Sequence, residues 1–200
     1  IFKIGMDTTV IKDEEKIKKE RSAKLILLFA MVSMTMMFAG LTSAFVVSKS
    51  RADWLKDFQL PTAFYWSTIV IISCSLTFFL AKKAIKKDNH GQTTMMLLAT
   101  LVLGILFVIL QFAGFGQIVA DGYYFTGQAS SITTTFLYIV TLMHLLHLAG
   151  GIISLLIIIY NHFKQKYNST QTLGIELGAM YWHFLDILWV YLFLFLFFFK

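Results

Sequence analysis

Leu173-Gly174-Ile175-Glu176-Leu177-Gly178-Ala179-Met180-Tyr181-Trp182-His183-Phe184-Leu185-Asp186-Ile187-Leu188-Trp189, continued by an apolar run to Phe199, decides the fold. The segment is apolar and long enough to cross a ~30 Å hydrocarbon layer as a helix. Within it His183 and Asp186 stand at i, i+3 among Leu, Ile, Phe and Trp. Ionisable groups are costly in hydrocarbon, so such a pair needs partners and points to a purpose.

Working outward, four more apolar runs of similar length appear, at 25–48, 61–81, 95–118 and 132–160, with the last at 173–199. The chain is 58% hydrophobic and 14% charged, too little charge for a soluble domain of 200 residues. Alternating strands of about ten residues are absent, so an outer-membrane barrel is not expected. Helices then satisfy the backbone in lipid. The expectation is an all-α polytopic membrane protein, five transmembrane helices in a bundle, as one domain over 25–200 behind a juxtamembrane tail over 1–24. That tail lacks an apolar core, so no cleavable signal peptide is expected.

The net charge of +6 is no nucleic-acid signal, because Lys and Arg gather at the ends of the runs. The tail, the 82–92 loop and the 163–172 loop together carry 13 of them; the other side carries 4. That bias predicts a cytoplasmic N-terminus and an external C-terminus. Trp54, Tyr65, Trp66, Tyr123 and Tyr124 fall at the expected external boundary. In the tail, Lys12 to Arg21 places Glu14 and Glu15 four residues before Lys18 and Lys19, a spacing that favours a surface helix. A lone Cys74 permits neither an internal disulfide nor a cysteine-based metal site.

The other polar groups inside the runs are the candidates for function. His144 and His147 stand at i, i+3 on the fourth run, just before Gly150 and Gly151, which permit close helix approach. Glu176, Tyr181, His183 and Asp186 fall near one stripe of the fifth, and Gln111 lies in the third. His90 and His162 sit at run ends near water. Two readings of the buried histidines stay open on the residues alone. One makes them ligands, for instance His147 and His183 on either side of a haem. The other makes the polar set structural or lipid-binding, each group answering another across helices.

The stretch from Leu173 to Trp189 resembles the last helix of subunit III of the haem–copper oxidases, the cytochrome c oxidase subunit III family. There, Phe-Glu precedes Tyr-Trp-His-Phe-Val-Asp-Val-Val-Trp. Met143-His144-Leu145-Leu146-His147-Leu148-Ala149-Gly150-Gly151 is similar to the family's Phe-His-Gly-Leu-His-Val-x-x-Gly. Asp121-Gly122 followed by Ser131, Thr134 and Phe136, Leu60-Pro61, the Ser73 to Thr77 stretch, and Gln111 extend the likeness over roughly 25–199. The length is that of the shorter bacterial form, without the first two of seven helices. Met34 departs from the family's buried Glu in the first run, and Gly114-Phe115 from a common Glu-Tyr in the third.

The resemblance implies a non-catalytic subunit, with no catalytic residue and no metal site of its own, haem and copper being held by partner subunits. It implies packing against oxidase subunits I and II, bound phospholipid, and support of proton uptake and oxygen access. It places the chain in a bacterial inner membrane, with a respiratory supercomplex as a further partner. Quinol oxidase, a nitric oxide reductase-associated homologue, and more remotely a membrane haem protein are the alternatives. Under this reading His144, His147, Glu176, Tyr181, His183, Asp186 and Gln111 are buried structural or lipid-binding groups. The pairings expected are His147 with Glu176, and His183 with Asp186 or a neighbouring Tyr.

Overall fold

The computed structural model describes residues 2–51, 54–55, 59–127, 131–168 and 171–199, with side chains from residue 14 onward. The extreme ends of the 1–24 and 25–200 segments, and the Lys12 and Asp13 side chains, lie outside the described residues.

Five helices account for nearly everything described: α1 Phe2–Val47, α2 Thr62–Ile85, α3 His90–Ala120, α4 Ile132–Phe163 and α5 Leu173–Phe199. All five are long and apolar enough to span a membrane, as expected. The shortest, α2, has 24 residues and covers about 36 Å at 1.5 Å per residue.

The chemistry of the helix ends explains their bounds. Asn89 caps α3, its Oδ1 accepting from the Gln92 backbone N–H at 3.1 Å. That cap starts the helix at His90, five residues before the apolar run. Ser131 and Thr134 form a reciprocal capping box at the start of α4. Asp88 and Gln165 take left-handed backbone conformations, φ 52° at each, and close the ends of α2 and α4. No glycine or proline separates the tail from the first run. The tail therefore continues α1 without a break, rather than forming a separate short helix. Glu14 and Lys18 meet at 4.0 Å. Lys19 does not meet Glu15; it lines a surface pocket with Lys16, Glu20 and Lys166.

α2 and α3 form a closely packed antiparallel hairpin, and α3 also touches α4. α5 is the hub, packed against α1, α2 and α4. The main buried cluster includes Phe64, Phe78, Phe107, Trp182 and Trp189. A second, smaller cluster of Phe38, Val140, Leu188 and Leu192 holds α1 to α4 and α5. Small residues permit these approaches: a Cβ on Gly151 would lie 3.1 Å from Leu185 Cδ1, and one on Gly104 3.1 Å from the Trp182 ring. Much of the α1 surface, including Ile26, Phe29 and Met36, is exposed.

Candidate functional site

Glu176 sits in the first turn of α5, where the helix dipole favours a carboxylate. Its Oε2 accepts from Lys24 Nζ at 2.9 Å, and its Oε1 lies 3.4 Å from Lys86 Nζ. Thr172 Oγ1 donates to Oε1 at 3.3 Å. One carboxylate thus joins α1, the end of α2 and α5. The expected pairing with His147 is not formed, because Glu176 lies level with the cationic helix ends while His147 sits deep within α4.

His147 turns its Nδ1 to the Met143 carbonyl of its own helix, 2.7 Å away, and its ring packs edge-on against Phe38 of α1. Tyr181 donates to the His147 carbonyl at 3.0 Å, tying α5 to α4. His144 is fully buried, with ring centroids 5.2 Å from Trp189 and 6.0 Å from Phe107. The two histidines therefore face different neighbours rather than one partner.

His183 meets α2: its Nδ1 lies 2.6 Å from Ser75 Oγ. Its expected partners, Asp186 and tyrosine, are not the ones it meets. Asp186 is 4% exposed and neither of its oxygens is hydrogen-bonded among the described residues. Tyr181 points to α4 and His183 to α2, so the four groups of α5 do not share one stripe; two residues of helix rotation separate these two by about 200°. Gln111 is fully buried and donates from Nε2 to Ser67 Oγ at 2.8 Å. Trp189 Nε1 donates to Thr68 Oγ1 at 3.1 Å. Ser67, Thr68 and Ser75 make α2 the polar partner of α3 and α5.

His162 is buried rather than near water, at 4% exposure, with its ring stacked 5.7 Å from that of His90. Thr94 Oγ1 donates its one hydrogen to the His90 carbonyl, so at 2.9 Å it accepts from His162 Nε2–H, which fixes that tautomer.

α1 stands off from α4 and α5 over its first turns in the apolar region. The resulting cleft, about 590 Å³, is walled by residues including Leu27, Ala30, Met34, Gly150, Ile153 and Tyr181. It shares Tyr167 and Gly174 with an adjoining pocket of about 270 Å³, whose lining includes Lys16, Lys19, Glu20 and Lys166. An apolar trough thus meets a mainly cationic mouth.

Residues 6–200 match the family model of cytochrome c oxidase subunit III. The chain belongs to the cytochrome c oxidase subunit III family. It is similar to cytochrome c oxidase subunit 3 of Spodoptera frugiperda, 35% identical over 140 residues, which are 68% of this chain and 87% of that protein. The protein of the same name in Drosophila yakuba is 33% identical over 137 residues, 68% of this chain and 49% of the relative. That of Petromyzon marinus is 29% identical over 143 residues, 70% and 50% respectively. The chain spans about half the length of most of the curated relatives it matches.

Together with the five helices, subunit III membership makes this a multi-pass membrane protein. Two departures from the subunit III pattern now have structural surroundings. A Cβ on Gly114 would strike the Phe64 ring, so an aromatic of α2 fills the room a larger side chain would need there. Met34 lines the cleft, whose wall is mainly Leu, Ile, Ala and Gly, with hydroxyls from Ser154, Tyr167 and Tyr181.

What the sequence had not flagged are the partners: Lys24, Lys86, Ser67, Thr68 and Ser75. Their signal was weak. Lysines at helix ends and hydroxyls inside spans are common for reasons unrelated to any one contact.

Proposed function

We propose that this chain is the non-catalytic subunit III of a proton-pumping haem–copper terminal oxidase of the cytochrome c type. In this reading it packs on subunits I and II, which hold the haem and copper, and binds none itself. It holds phospholipid and sustains proton uptake and oxygen access. It sits in a bacterial inner membrane with residues 1–24 and the N-terminus cytoplasmic and the C-terminus external.

The observation that carries the reading is the apolar cleft between α1 and the α4–α5 pair, opening at a lysine-lined mouth. A phospholipid has that division of chemistry: acyl chains for the trough, and a phosphate for the ammonium groups. Exposed apolar faces on α1 and α3 offer room for neighbouring subunits. His183, Gln111 and Glu176 bond across helices, which supports a packing role.

The test is purification through a tag on this chain from mild detergent. Recovery of the two larger oxidase subunits with haem a, copper and retained phospholipid is the expected result. Haem bound to the isolated chain overturns the reading. Co-purification with a nitric oxide reductase, or with a quinol oxidase lacking the copper-bearing electron entry site, would replace it.

A further inference from the structure

Asp186 stands apart from the other ionisable groups of the bundle. Glu176 has two lysines and a threonine. Asp186, 4% exposed, has no cation among the described residues, and the Ser75 hydroxyl stands beside it without completing a well-formed hydrogen bond. An ionised carboxylate so placed would carry an uncompensated desolvation cost of several kcal/mol, and such a group takes up a proton instead.

Its surroundings are polar all the same. Trp182, one turn earlier on the same face of α5, is 1% exposed, and its Nε1–H lies beside the Cys74 sulfur. Ser75 and Cys74 of α2 face the Asp186 carboxyl, and Cys74 also lies against the Trp182 indole. The Cys74 thiol donates to the Thr100 carbonyl of α3 at 3.3 Å. Ser75 bonds outward to His183, which is only partly buried and feels the charge of Lys82. The titratable and charged groups around Asp186 are therefore Cys74 and His183, with Lys82 beyond. None forms an ion pair with it.

We propose that Asp186 is a neutral carboxylic acid holding an exchangeable proton inside the bundle, in a small polar site lined by Trp182, Cys74 and Ser75. The Asp186 hydroxyl donates to Ser75 Oγ, which stands beside it. Ser75 in turn donates to His183 Nδ1. A proton leaving Asp186 passes to the Ser75 oxygen as the Ser75 hydrogen moves to Nδ1. That leaves carboxylate and imidazolium, and the reverse shift restores both neutral groups. His183 is thereby the exit of a proton-holding site.

Infrared spectroscopy on the full chain in lipid nanodiscs tests this without partner subunits, and so separately from the oxidase reading. At neutral pH the wild type should show a protonated-carboxyl C=O band that shifts with 13C-aspartate labelling and downshifts in D2O. The label also marks Asp7, Asp13, Asp53, Asp57, Asp88 and Asp121, so substitution of Asp186 assigns the band. Asp186→Asn should abolish the band, and Ser75→Ala should retain it while slowing its deuterium shift. If Asp186→Asn does not fold, Asp186→Glu decides: its band should persist but no longer shift with aspartate labelling. Only ionised-carboxylate bands in the wild type, a band indifferent to D2O, or an unchanged exchange rate in Ser75→Ala each overturns the proposal.

Discussion

At the scale of single residues, the polar groups of this chain divide by depth. Near the helix ends an acid can be charged, because lysine stems reach past apolar surface and bring their ammonium groups to it. Glu176 shows this with Lys24 and Lys86. All three side chains keep some solvent contact, so each pair contributes modestly; together they are worth roughly 1 kcal/mol. Glu176→Gln should therefore lower stability in detergent micelles by about that much at low ionic strength. The difference should shrink as salt screens the pairs. Equal stability of the two proteins at low salt would show that the contact does not hold α1. Deeper in the bundle Gln111 hydrogen-bonds to the Ser67 hydroxyl and His183 to that of Ser75. Which residues matter was legible, because a histidine or carboxyl inside an apolar run announces itself. Their partners were not: Ser75 lies 108 positions from His183, and Lys24 152 positions from Glu176, and no local pattern encodes such a meeting.

At the scale of elements, the number and type of helices followed from run length alone, and their ends did not. α3 begins at His90 because Asn89 caps it, and α2 continues past Lys82 and Lys83 because their stems remain compatible with helix at a membrane edge. The approach of α4 to α5 was announced by the Gly150-Gly151 pair, but only one of the two glycines is pressed. A side chain at 151 meets Leu185 at 3.1 Å and Trp182 at 3.4 Å; one at 150 finds only the Tyr181 hydroxyl, at 3.7 Å. Gly116 of α3 has nothing within 4 Å of its would-be Cβ. The same substitution at the two sites should then behave differently. Gly151→Leu should cost about 1–3 kcal/mol through overpacking. Gly116→Leu should be neutral or slightly stabilising, since it replaces glycine within a helix facing open space. Denaturant titration in micelles measures both, and equal costs would deny that α4 and α5 touch at Gly151.

At the scale of the whole molecule, α5 is enclosed by α1, α2 and α4, while α1 leans outward and leaves the cleft beside it. The helix count brings the tail, the α2–α3 turn and the α4–α5 connection to one end of the bundle. That end is also the basic one, with 13 Lys and Arg in its segments against 4 at the other. The positive-inside rule predicts that this end is cytoplasmic. Labelling with a membrane-impermeant thiol reagent in intact cells tests this directly. Native Cys74 is fully buried and should stay silent, so single cysteines can be added without removing it. Lys87→Cys, exposed in the α2–α3 turn, should resist the reagent until the membrane is opened. Thr126→Cys, exposed between α3 and α4, should react at once. The opposite pattern would invert the bundle and carry the lysine-lined mouth of the cleft to the outer face. The phospholipid drawn to those lysines would then have to come from the other leaflet, so the orientation also decides which lipids the cleft can recruit.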